Sequence, residues 1–105
     1  MDTQAWRALI RQLRKNFPVT VPVKVVRRHT TTGNIGLTTF DGREYRIRVK
    51  SNQESDSQID TLLHEWAHVC AIEEAYNHQG RWAGLYGDIY QAWENGFPVK
   101  TAEGK

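Results

Sequence analysis

Thr61-Leu62-Leu63-His64-Glu65-Trp66-Ala67-His68-Val69-Cys70 is the stretch on which the reading of this chain turns. At its centre is His64-Glu65-Trp66-Ala67-His68, a His-Glu-x-x-His pattern. Residues four apart lie one above the other on a helix, so the spacing predicts that His64 and His68 project from one face. Two imidazoles placed this way can both reach one zinc ion at about 2.0–2.1 Å. Glu65 adjoins the first of them without needing to be a ligand itself. Zinc lowers the pKa of a water it holds to about 7, and a neighbouring carboxylate can take the proton as that water attacks a carbonyl carbon. The expected chemistry is peptide hydrolysis by a zinc-activated water, with Glu65 as general base.

The flanks predict a helix around the motif. Ser55-Asp56-Ser57-Gln58 offers an S-x-x-Q capping box from Ser55 to Gln58, with Asp56 and Ser57 as alternative caps. Leu62, Leu63, Trp66, Val69, Cys70 and Ile72 recur at helical spacing, the pattern of a helix with one packed face and one face on a cleft. Catalytic zinc needs a third protein ligand and an open position. The remaining histidines are His29 and His78. His78 lies in Tyr76-Asn77-His78-Gln79-Gly80-Arg81-Trp82, where Asn77 and Gly80 signal a helix end near Tyr76 and a turn that can fold back over the metal. His78 is therefore the expected third ligand. Glu74, Asp88 and Glu94 are the alternatives. Glu74 stands six positions after His68, where some zinc peptidases place a last ligand, but Ala71 replaces their turn glycine and Met1 is the sole methionine.

These residues carry a family resemblance. Thr61 to His68, followed by His78-Gln79-Gly80-Arg81-Trp82 and Leu85-Tyr86-Gly87-Asp88-Ile89-Tyr90, resembles the SprT-like (Spartan-type) zinc metallopeptidases, above all their short phage and bacterial members. The likeness covers roughly residues 55–94. It implies a minimal zincin-like domain and a hydrolase binding one zinc per chain. His64, His68 and His78 would be the metal ligands and Glu65 the catalytic base. The chain lacks a cysteine-rich ribbon or long targeting tail, so no particular substrate carries over.

With 105 residues, the chain predicts one domain over 1–105, loosening from about residue 96. A hydrophobic fraction of 39% and a charged fraction of 25% fit a soluble globular protein. The lone Cys70 excludes an internal disulfide and reads as a buried, inert thiol. No apolar run reaches membrane-spanning length and Met1-Asp2-Thr3-Gln4 is no signal peptide, so a cytoplasmic protein is expected.

Residues 3–15 read as an amphipathic helix with Trp6, Leu9, Ile10 and Leu13 as its stripe. Val19, Val21, Val23 and Val25 alternate as a strand, with Pro22 marking an edge or bulge. Gly36 to Phe40 is a second strand and Glu44 to Lys50 a third, joined by an Asp41-Gly42 hairpin turn. Residues 81–94 form a last helix with Trp82, Leu85, Ile89 and Trp93 on one side. The expected fold is α+β: N-terminal helix, three-stranded antiparallel sheet, active-site helix and C-terminal helix. A sheet edge would hold an extended peptide substrate, and the third strand, which runs into the metal helix, is the expected edge.

Charge divides between the halves. Residues 1–50 hold 11 Lys/Arg against 3 Asp/Glu, and residues 51–105 hold 3 against 9, giving +8 and −6. Nucleic acid is thus a possible partner of the basic N-terminal half, beside a protein or peptide substrate. Solvated faces explain the same charges, and no aromatic residues interleave with them. Tyr76, Tyr86 and Tyr90 are candidates to stabilise an oxyanion. Asp60, one turn before His64, is placed to hold that ligand's other ring nitrogen. Two readings compete with a peptidase: a zinc-holding interaction module without catalysis, and a nucleic-acid-binding protein whose metal only stabilises the fold.

Overall fold

Asp2 opens the first helix by accepting the Ala5 N–H at 2.7 Å, which satisfies one of the donors a helix start leaves bare. A computed structural model describes residues 2–31, 33–74 and 82–97. Its elements run α1 (Thr3–Asn16), β1 (Val23–Arg28), β2 (Gly36–Phe40), β3 (Tyr45–Lys50), α2 (Ser55–Glu74) and α3 (Trp82–Glu94). The predicted stripe of α1 is the buried one: Trp6, Leu9, Ile10 and Leu13 all face inward. Its last turn carries Arg14 and Lys15, which complement the negative end of the helix dipole.

Three strands form one mixed sheet, ordered β1-β3-β2. β2 pairs antiparallel with β3, as the Asp41-Gly42 turn demands, but β1 pairs parallel with β3. The expected all-antiparallel arrangement is therefore wrong, and so is the choice of β3 as the free edge. β3 is the central strand. Its inward side chains Tyr45, Ile47 and Val49 are all buried, so it gains most from neighbours on both sides. The residues a ladder tolerates least in its middle sit at the starts of the edge strands: Pro22 immediately precedes β1, and Gly36 begins β2.

β1 also starts later than the valine alternation suggested. The backbone N–H groups of Thr20 and Val21 donate to the Glu73 carboxylate at 3.0 to 3.2 Å, and the Thr20 hydroxyl adds a bond of 2.8 Å. A side chain from α2 thus satisfies the donors a ladder would otherwise use.

The register sorts the side chains into two rows. Val23 with Tyr45, Val25 with Ile47, and Thr38 with Ile47 share the row facing the helices. One hydrophobic cluster joins this row to Leu13 of α1, to Leu62, Leu63, Trp66 and Val69 of α2, and to Ile89 of α3. The Trp66 indole N–H donates to the Phe17 carbonyl at 3.0 Å, tying α2 to the end of α1. Cys70 is buried, as expected, whereas Ile72 is 44% exposed and lies off the packed face. On α3, Ile89 is fully buried and Trp93 half-buried, while the side chains of Trp82 and Leu85 lie outside the described ones.

The described residues run to Phe97, and the rest of the expected loose tail, 98–105, lies outside them. Gly96 takes φ +74°, the left-handed geometry in which glycine has no Cβ penalty. The N–H groups of Gly96 and Phe97 then close onto the carbonyls of Trp93 and Ala92, and Phe97 is buried. No described helix is long and apolar enough to cross a membrane.

Candidate metal centre

α2 presents its two histidines as the four-residue spacing requires. Their Nε2 atoms lie 3.2 Å apart, with both rings half-buried and inclined at 76°. Two ligands at about 2.0–2.1 Å on a tetrahedral zinc are separated by about 3.3 Å, so this donor pair fits the ion. Burial pushes the His68 pKa down and the neighbouring His64 lowers it further, while Glu65 opposes the shift. The direction favours the neutral imidazole, the form that ligates.

Glu65 points from the same helix toward β2. It is 8% exposed, and its Oε1 accepts the Thr38 hydroxyl at 2.6 Å. Gly36 leaves no room for a side chain beside the carboxylate. A Cβ there would lie 2.9 Å from Glu65 Oε2 and 2.5 Å from Thr61 Cγ2. His64 and Glu65 line one cleft of about 300 Å³ together with Asp60, Thr61 and the stretch from Gly33 to Gly36. The cleft runs between α2 and the start of the edge strand β2.

Asp60 lies beside His64 but receives a short hydrogen bond from the Tyr86 hydroxyl of α3. The Tyr86 ring meets His64 edge-on, with centroids 5.5 Å apart. Burial and the Asp60 carboxylate push the Tyr86 pKa up to about 12, so the hydroxyl keeps its proton. Tyr90 packs on Tyr86 and Trp93 at 6.1 and 5.4 Å between centroids. Of the three candidate oxyanion donors, Tyr86 is thus set against His64 and Tyr90 one ring further away; Tyr76 lies outside the described residues. So does His78, the expected third ligand, and so does the side chain of Glu74. Asp88 and Glu94 are exposed on α3, and among the described residues no group of three metal-binding side chains converges.

No family model, curated protein or solved structure matches the chain. The arrangement of α2 and β2 therefore carries the functional reading by itself. Sequence reasoning missed two contributors to it, Thr38 and Gly36. Their two-residue spacing puts them on one face of β2, but which face meets Glu65 follows only from the β2–β3 register. Gln58 was expected in a capping box with Ser55. It is buried, donating to the carbonyls of Ser51 and Gln53 and accepting from Arg27, so it braces the loop that leads into α2.

Proposed function

We propose that the chain is a zinc-dependent endopeptidase, with His64, His68 and His78 as metal ligands and Glu65 as general base. One observation carries the reading: the histidine nitrogens converge at the separation of two zinc ligands, while the adjacent Glu65 carboxylate lines the same cleft as His64. A zinc ion held there would supply a water of lowered pKa and polarise the carbonyl under attack. Glu65 takes the proton from the attacking water, whose oxygen bonds to the carbonyl carbon as the π electrons move onto the carbonyl oxygen. Glu65 then returns the proton to the amide nitrogen, the C–N bond breaks, and the nitrogen leaves as an amine. The peptide is held along β2 rather than β3. One side of β2 pairs with β3, its other side meets no described strand, and its approach lines the cleft.

Glu65→Gln tests the chemistry. The amide keeps the shape but cannot take the proton. Zinc content is expected to stay at one per chain, while cleavage of an unfolded protein such as casein falls by about 10²–10⁴. Chelators should abolish cleavage, and His64→Ala, His68→Ala and His78→Ala should each lose zinc. Equal cleavage by the Gln variant removes Glu65 from its role. Full zinc affinity in His78→Ala moves the third ligand to Glu74, Asp88 or Glu94.

A second reading, association with nucleic acid, is favoured by the sheet's outer row. The register brings Lys24 beside Arg46 and Arg28 beside Lys50, with Arg48 between them opposite Val26. Five cations thus share the face turned from the helices, near the single carboxylate of Glu44, which pairs with Arg46 at 3.0 Å. No aromatic side chain stands in that row, so contact would be with phosphates rather than bases. Its mark is affinity that falls steeply with salt.

A further inference from the structure

We propose that Thr38 is a positioning residue for the Glu65 base, fixing one carboxylate oxygen so that the other faces the reacting water. This rests on the peptidase reading. A glutamate side chain has three rotatable bonds, and a base must sit within hydrogen-bond reach of the proton it removes. Glu65 leaves a helix, and nothing in helical geometry alone selects its rotamer. β2 does so from outside. The Thr38 hydroxyl donates to Oε1 at 2.6 Å, a short bond of the kind charged acceptors form. Threonine suits this task because branching at Cβ restricts χ1, which holds the hydroxyl in a fixed direction. Its backbone is fixed in turn by pairing with the central strand, where Thr38 stands opposite the fully buried Ile47.

The neighbour on the same face of β2 complements this. Gly36 offers no side chain where a Cβ would lie 2.9 Å from Oε2. One residue therefore holds the first oxygen and the other leaves space at the second. Oε2 is the oxygen assigned to accept the proton. The arrangement divides the carboxylate into an anchored half and a working half.

A bond that merely pinned the strand to the helix would affect stability and nothing else. The test uses the zinc-loaded full chain with Thr38→Val, which keeps the branched shape, and Thr38→Ser, which keeps the hydroxyl. In Thr38→Val, kcat on casein peptides is expected to fall about ten- to a hundredfold, with KM and zinc affinity unchanged. Thr38→Ser should restore most of it. A second readout needs no turnover. In the metal-free protein, the carboxylate infrared band that disappears in Glu65→Gln should shift in Thr38→Val and return in Thr38→Ser. An unchanged kcat in Thr38→Val, or an unmoved band, overturns the assignment and leaves the peptidase reading standing. No cleavage by the unsubstituted, zinc-loaded protein overturns both together.

Discussion

The two edge strands of the sheet use the same kind of position for opposite purposes. β1 turns Val23, Val25 and Arg27 toward the helices. Val23 is buried in the core, and Arg27 lies 4.6 Å above the Trp6 ring while bonding to Gln58. β2 turns Gly36 and Thr38 toward the same layer, and these meet Glu65 and Thr61. Val23 and Val25 on one edge support the fold, whereas Gly36 and Thr38 on the other make room for a carboxylate. The outer rows differ too: β1 shows Lys24 and Arg28, while β2 shows Leu37 and Thr39. An edge can thus be given to stability or to a site, and the side chains facing inward reveal which.

Gly36→Val is expected to break the comparison most severely, because it gives β2 the bulk that suits β1. The added side chain must displace Thr61 or Glu65, since a Cβ alone would stand 2.5 Å from Thr61 Cγ2. If the chain is the zinc peptidase proposed, shifting Glu65 by about 1 Å costs on the order of a hundredfold in rate, so kcat should fall by at least that much while zinc still binds. Unchanged turnover would mean that β2 is not fitted to Glu65.

Val23→Ala makes the converse change on β1. Losing two buried methyl groups should lower unfolding stability by about 2 kcal/mol, read from urea denaturation, with kcat and zinc content untouched. A matching loss of kcat in the folded protein would show that the two edges are not independent.

The outer rows give the smallest effect. If nucleic acid binds the cationic face, replacing Lys24 and Arg28 with Gln should reduce the salt dependence of DNA affinity by about two counterions. Leu37→Gln on β2 should leave it unaltered. Absence of binding at low salt would leave the five cations as a solvated surface.

Much of this was legible in the sequence, for local reasons. The four-residue spacing of His64 and His68 dictates one helical face at any location, and α2 places them so. The α1 stripe follows from periodicity in the same way. The boundaries of β2 follow from the turn residues on either side, and Asp41 does close its turn by accepting the N–H groups of Arg43 and Glu44. Other features were beyond local rules. Alternation shows which residues of a strand share a face, but it names neither the partner strand nor its direction. The parallel pairing of β1 was therefore invisible, and with it the identity of the central strand.

The sequence by itself determined a helix presenting two imidazoles on one face and an adjacent carboxylate, because that depends only on the 3.6-residue turn. Tertiary structure alone decided what surrounds the carboxylate. Thr38 and Gly36 lie 27 and 29 positions before Glu65 in the chain, and the sheet register carries them to it. No rule of spacing spans that distance, since the contact exists only once β3 has taken the centre of the sheet and α2 has packed across it.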